Sequence, residues 1–341
     1  MQKKFPNDYN FMPETYSYPQ DKEIIFKKFT KYKLSEDNLW LVKPKKGSFG
    51  KGIHIFRKLE DHLSEFIITK YISYPHLINK LKYDMRIYLL ITGFSPLKIY
   101  LYTDGLIRFA TEKFSLNLKK LDQLHRHLTN VAFNSKNNNM YKKPLNPDSE
   151  EGSKWSISTY KKYCKRKGID FEKIWRQIAD IAIKTILSVR NLFLDIIRSI
   201  GTKDKNYFKL MGYDFLVDED LKVFLIEVNS RPSLLMKDII DIKIKPQLIA
   251  DTLNIVGITP YSHDFNDNFK PYDIDNNNNE EEFEEEYSDE EDGVNRALCE
   301  FGRPRGKYEL IFPLEENINQ YKKFFTKNKN VDVKVWMELF E

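Results

Sequence analysis

A chain of 341 residues, 41% hydrophobic and rich in Tyr and Phe, can bury a sizeable core, and that composition excludes wholesale disorder. No run of about eighteen apolar residues is present to span a bilayer, and two cysteines, Cys164 and Cys299, are too few for a disulfide framework or a zinc cluster. The net charge of +5 conceals an asymmetry: Asp275 to Asp292 holds eleven acids and no Lys or Arg, and removing those charges leaves +16 on the rest, a balance that favours a polyanionic partner.

The start, MQKKFPNDYNFMPETYSYP, has no apolar signal segment, so a cytoplasmic address is expected. Residues 1–38 carry one short amphipathic piece, Glu23 to Thr30, and no legible chemistry. A strand from Leu39 to Val42 then leads into a loop with Gly47, Gly50 and Gly52, followed by a strand from Ile53 to Phe56. Glycines let backbone amides approach an anion, and Lys43 and Lys51 add charge for phosphate. Because the loop joins strand to strand, neither a P-loop nor a Rossmann fingerprint applies; a plain tight turn with solvated lysines is an equal reading. Glu65 to Ser73 reads as an apolar strand.

Alternation in LKYDMRIYLLIT puts Asp84, Arg86 and Tyr88 on one face and Met85, Ile87, Leu89 and Ile91 on the other. Lys98 to Tyr102 and Leu106 to Thr111 read as a hairpin turning at Asp104-Gly105, with Arg108 on its second strand and Lys113 just beyond. An ion pair with Asp84 is the structural alternative for Arg86 and Arg108. His127 lies in a polar linker and reads as structural. Ser156 to Cys164 and Phe171 to Ile200 read as helices, the second with an apolar stripe of Ile174, Ile178, Ile181 and Ile186 that marks it as scaffold.

YFKLMGYDFLVDEDLKVFLIEVNSRPS, from Tyr207 to Ser233, reads as a hairpin of Met211 to Val217 and Lys222 to Val228. Glu227 and Asn229 share a face, and a turn closing near Glu219 would place Asp214 opposite Leu225 and diagonal to Glu227. Oxygens of Asp, Glu and Asn converging in a sheet suit Mg²⁺; an edge hairpin with solvated acids is the alternative. Lys237 to Leu253 reads as a basic helical or extended segment. Asn276 to Asn279 and the acidic run read as a disordered insertion, after which order resumes and ends in an amphipathic stretch, Trp336 to Phe340.

With these pieces laid out, the chain resembles the tubulin tyrosine ligase-like family, a branch of the ATP-grasp ligases that add amino acids to proteins. The motifs are LWLVKPKKGSFGKGI, ITKYI, KYDMRIYLLITGFSPLKIYLYTDGLIRFATEKF, RHLTN, KWSIS, FKLMGYDFLVDEDLKVFLIEVNSRPSL and EFGRPRGKYELIFP, in family order from about Phe11 to Pro313. In detail they are most similar to the polyglutamylating members. The resemblance implies an α/β fold of ATP-grasp type, with nucleotide between a small glycine-loop lobe and a larger mixed-sheet lobe, and the usual N-terminal lobe missing. Residues 1–38 would be a remnant or linker, 39–73 the glycine-loop part, 74–260 the C-terminal lobe with the metal hairpin, 261–292 the insertion and 293–341 a closing segment.

The same resemblance implies ATP and Mg²⁺ as cofactors. Lys43, Gly47, Gly50, Lys51 and Gly52 would hold phosphates; Lys70, Tyr71 and Ile72 would form the adenine hinge; Lys82, Asp84, Thr129 and Asn130 would line the nucleotide pocket. Asp214, Glu227 and Asn229 would bind the metal, and Arg86, Arg108 and Lys113 would serve the transferred phosphoryl and the amino acid. Thr69 stands where the family commonly has Gln. The implied reaction joins an amino acid, glutamate foremost, to glutamate side chains of tubulin or another acidic tail through an acyl-phosphate. A monomer at the cytoskeleton or cilium is implied, with no nucleic-acid or membrane partner. The rival is a catalytically degenerate relative acting as a basic microtubule-binding module.

Overall fold

The structure, a computed structural model, describes residues 1, 3–47, 50–56, 65–137, 140–200, 207–258 and 297–325. In the smaller of its two sheets β1 (Thr15–Tyr18), β2 (Trp40–Pro44), β3 (His54–Ile55) and β4 (Phe66–Lys70) lie in the order β1-β4-β2-β3. Alternation in β2 turns Trp40 and Val42 to one side, where α1 (Lys22–Phe29) supplies Ile25 and Phe29, and Phe56, Phe66 and Ile68 complete the cluster. Lys43 consequently belongs to the opposite face.

The larger sheet contains β5 (Leu77–Ile78), β6 (Leu81–Phe94), β7 (Leu97–Phe109), β8 (Lys154–Ser156), β9 (Lys209–Val217), β10 (Val223–Asn229) and β11 (Tyr308–Phe312). Its order is β10-β9-β6-β7-β11, with β5 on β6 and β8 on β7. Every pairing among the described residues is antiparallel, which corrects the expected mixed sheet. Tight turns join β6 to β7 and β9 to β10, where a parallel pair would need a crossover.

Helices α2 (Val131–Asn134), α3 (Ile157–Lys167), α4 (Phe171–Ile200), α5 (Ile239–Val256) and α6 (Glu315–Tyr321) complete the fold. The isoleucine stripe of α4 packs with Met85, Ile87, Leu89 and Ile91 of β6 in the main core, the scaffold role its periodicity predicts. On the other face of the sheet, Ile240, Ile244, Leu248 and Ile255 of α5 cover Tyr88, Leu90, Tyr100 and Tyr102. No helix among the described residues is long and apolar enough to cross a membrane.

The expected hairpin at Asp104-Gly105 is corrected. One strand, β7, runs through both residues, and the turn lies instead at Ser95-Pro96, between Phe94 and Leu97. Asp104 is buried because its carboxylate accepts from the N–H of Gly105 at 2.9 Å and from the backbone and hydroxyl of Ser158, at 3.2 and 2.6 Å, in the first turn of α3. Gly105 is where β7 approaches β6 most closely: a Cβ there would stand 2.4 Å from the Arg86 carbonyl oxygen.

The chain rejoins the large sheet through β11, which pairs with β7. Buried Glu300 fastens this segment, accepting from Thr92 at 2.6 Å, Tyr100 at 2.7 Å and Lys98 at 2.6 Å. Arg303 donates to the Ile255 carbonyl at 2.9 Å at the end of α5. The acidic run Asp275 to Asp292 and the stretch Trp336 to Phe340 lie outside the described residues.

Gly105→Ala is expected to destabilise the protein by about 2–3 kcal/mol, because backbone on β6 cannot yield as a side chain can. Urea unfolding measures it; a loss under about half a kcal/mol would show that the close approach is unimportant.

Candidate functional site

Four adjacent strands each contribute to one row of charge. Pairing sets Arg108 of β7 opposite Asp84 of β6, Arg86 of β6 opposite Asp214 of β9, and Asp214 opposite Glu227 of β10. The last pair corrects the expected register. The turn is built round Asp218, whose carboxylate accepts from the N–H groups of Asp220 and Lys222 at 3.0 and 2.8 Å, and Leu221 takes a positive φ of 61°. A bulge at Ile226 then shifts the ladder, so that Asp214 faces Glu227 directly instead of Leu225.

Arg108 donates to both Asp84 oxygens at 2.7 and 2.5 Å and lies 2.9 Å from Asp214. Arg86 binds Asp214 with two parallel bonds, one of them 2.9 Å. These pairs are buried, unlike the exposed pairs that contribute little. Burial works to raise the Asp214 carboxyl, but Arg108 and Arg86 outweigh it and hold it below the usual carboxylate range. Glu227 behaves oppositely: the surrounding protein and then the Asp214 charge push it above that range, although it stays open to solvent. With its amide oriented to suit its neighbours, Asn229 donates to Glu227 at 3.1 Å and accepts from Arg86 at 3.2 Å.

Facing carboxylates on adjacent strands repel unless a cation joins them. Among the described residues no three His, Cys, Asp or Glu side chains form a metal site by themselves. Asp214, Glu227 and Asn229 nonetheless offer hard oxygens, and the exposed Glu227 makes no ion pair among the described residues; the set suits a hard divalent cation that keeps part of its own water shell.

On the small-sheet side, Lys43 makes no hydrogen bond or ion pair among the described residues. Burial lowers its pKa, and the field of Glu227 partly opposes that. Gly50 and Gly52 have φ of 76° and 75°, and a Cβ on Gly50 would stand 3.2 Å from Asn130 Oδ1, so the glycine loop reaches the segment carrying Thr129 and Asn130. Thr129 donates to Asp84 at 2.7 Å. Gly47 and Lys51 are exposed in the loop.

Of the three residues expected at a hinge, the N–H groups of Lys70 and Tyr71 are committed to the carbonyls of Glu14 and Leu39, while that of Ile72 meets no backbone carbonyl among the described residues. The Lys70 amine turns toward Asn38 and the Trp40 ring, and the Tyr71 side chain is buried against Lys82 and His127. Lys113 is exposed and no bond joins its side chain to the charged row. A surface hollow of about 740 Å³, lined by Glu36 and residues 114–119, shares no residue with these groups. His127, read as structural, is buried, with Nδ1 2.9 Å from the Tyr71 hydroxyl.

Compared with known proteins, the chain matches the tubulin-tyrosine ligase family over residues 1–265. It is 34% identical over 260 residues to the tubulin monoglutamylase TTLL4 of Mus musculus, covering 75% of this chain and 22% of that protein. It is 34% identical over 268 residues to a probable beta-tubulin polyglutamylase of Tetrahymena thermophila, covering 76% and 22%. With the tubulin polyglutamylase TTLL6 of Mus musculus the identity is 34% over 264 residues, covering 76% and 31%. The chain thus spans less than a third of the length of these relatives.

Removing Arg108 would leave Asp84 and Asp214 buried without it, so Arg108→Ala is expected to cost about 3–5 kcal/mol of stability, and Arg86→Ala less, because Asp214 keeps Arg108. Urea unfolding at neutral pH checks this; equal losses would contradict the shared-carboxylate geometry. The Asp214 contribution is present above the unfolded carboxyl value, about 4, and is lost as pH falls through its lower folded value. Arg108→Ala should therefore also flatten the acid limb of the stability profile.

Proposed function

The chain belongs to the tubulin-tyrosine ligase family, and we propose that it is an ATP- and Mg²⁺-dependent ligase of ATP-grasp type that adds glutamate to glutamate side chains of tubulin or another acidic protein tail. The observation that carries this reading is the row in which Asp214 faces Glu227 while Arg86 and Arg108 share Asp214. It combines oxygen donors for a divalent cation with fixed positive charge, the two things phosphoryl transfer to a carboxylate needs.

Asp214, Glu227 and Asn229 would hold the cation. When bound, Mg-ATP would supply the phosphoryl group that activates the acceptor carboxylate as an acyl-phosphate, leaving ADP; the glutamate amine would then attack the acyl carbon, forming the amide as inorganic phosphate and the amine's proton leave. Lys43, which makes no ion pair among the described residues, and the amides of the glycine loop receive phosphate charge. Arg86 and Arg108 stand ready to bind oxyanions, and because both are already fixed by the sheet they need little reordering as charge shifts. Ile72 presents its N–H to a base edge, and Asp84, held by Arg108 and Thr129, is shaped to accept from a ribose or a bound water. No protein nucleophile is required. The same reading carries a cytoplasmic address at the cytoskeleton or cilium and action as a monomer; the +16 charge outside the acidic run favours an acidic acceptor.

The test is mass spectrometry of tubulin incubated with the protein, Mg-ATP and an equimolar mixture of amino acids, with a gain of glutamyl residues expected. Glu227→Gln should lower that ligation by about a hundredfold or more while leaving the melting temperature unchanged, since it removes charge with almost no change of shape. Tubulin binding without ATP turnover would favour the degenerate microtubule-binding module instead, and full activity in Glu227→Gln would remove the metal assignment.

A further inference from the structure

A second buried polar chain lies beside the charged row and takes no part in it. Lys82, near the start of β6, is 6% exposed; its Nζ donates to the Tyr71 hydroxyl at 3.0 Å and stands 4.3 Å from that ring's centre. The same hydroxyl is 2.9 Å from Nδ1 of His127, which is 2% exposed and whose Nε2 has no hydrogen-bond partner among the described residues. Tyr71 follows β4 of the small sheet and His127 precedes α2, so three separate segments converge on one amine.

Among the described residues no carboxylate lies within ion-pair distance of Lys82. Asp84, two residues along the same strand, is the acid whose field reaches it, and its oxygens are engaged by Arg108 and Thr129. Around His127 stand Lys82, Arg126, which pairs with Glu112 at 3.1 Å, and the Phe114 ring at 5.6 Å. A buried ammonium without a counterion releases its proton readily. Burial accordingly lowers Lys82 to about 7, against the pull of Asp84. Burial first, then Lys82 and Arg126, lower His127 to about 4, and burial raises the Tyr71 hydroxyl far above its usual value.

At neutral pH one proton is therefore mobile, and the chain accommodates it in two arrangements. With Lys82 charged, its ammonium donates to Tyr71, which donates to His127 Nδ1 while Nε2 holds the imidazole proton. With Lys82 neutral the direction reverses: His127 Nδ1–H donates to Tyr71, which donates to the amine lone pair. The proton itself comes from solvent, so the balance is closed.

Resting on the nucleotide reading above, we propose that Tyr71 and His127 are positioning residues that hold Lys82 at the junction of the two sheets and let it become charged as polyphosphate arrives, so that nucleotide binding takes up a proton. The sign follows from linkage: an anion favours the charged amine, so ATP affinity falls by up to about tenfold per pH unit above the point where free Lys82 loses its proton.

NMR of lysine-labelled protein tests this, the Lys82 signal being assigned by its loss in Lys82→Arg. Its midpoint is expected near neutrality, lowered by about one pH unit in Tyr71→Phe, which keeps the ring and removes the acceptor. A Lys82 signal that titrates with the exposed lysines, or is unmoved in Tyr71→Phe, overturns the inference. Calorimetry of the unaltered protein with Mg-ATP at about pH 8, in phosphate and in Tris, should show uptake approaching one proton per ATP. ATP that binds without uptake overturns the inference alone; ATP that neither releases heat nor moves the Lys82 signal overturns the nucleotide reading as well.

Discussion

A carboxylate taken out of water must find positive charge, and at Asp214 that requirement shapes half the large sheet. One guanidinium from β6 and one from β7 converge on it, so β9 must lie beside β6, and β6 beside β7. The packing follows. A Cβ on Gly212 would stand 3.1 Å from the Arg86 side chain and 2.8 Å from Pro232, so glycine leaves the room the Arg86 guanidinium occupies. Gly105 lets β7 come near enough to the Arg86 backbone to keep the row in line. The bulge at Ile226 brings Glu227 to the end of it. The α5 cluster on the same face takes in Tyr88 and Leu90 of β6 and also Leu106, the partner of Arg86, so it reaches the side of the charged row.

The row balances its charge internally. Asp84 and Asp214 answer Arg108 and Arg86, while Glu227 keeps its proton more tightly than an ordinary glutamate. On the proposed reading, an arriving cation would relieve the repulsion between Asp214 and Glu227, and an arriving anion would take over guanidinium bonds now spent on Asp214. The two exchanges would compensate each other.

Much of this was legible in the sequence because period-two alternation is local. It placed Asp84, Arg86 and Tyr88 on one face and identified the β9–β10 hairpin, and the isoleucine spacing identified α4 as core. What alternation cannot reveal is register between strands. The turn moved the register by one residue, setting Leu225 against Phe215, and the bulge at Ile226 moved it by one more, so that Asp214 meets Glu227; a bulge is visible only when the partner strand is present. Asp104-Gly105 carries the composition of a turn, yet Ser158 claims the aspartate and the Arg86 carbonyl explains the glycine, both contacts from distant sequence. The contacts of His127 and Tyr71 were illegible for the same reason: the Tyr71 hydroxyl joins His127 to Lys82 only after the two sheets meet.

The bond from Arg303 to the Ile255 carbonyl has a bearing on how such chains change over generations. It joins the last turn of α5 to the stretch that resumes at Ala297, so the folded body brings together the two flanks of residues 259–296 whatever lies between them. Glu300 and the β11–β7 ladder reinforce that junction from the far side. Closing a longer connection costs only about 0.6 kcal/mol per doubling of its length. The contact of Arg303 with Ile255, 48 residues apart in sequence, is accordingly one that a change in that separation would weaken only slightly.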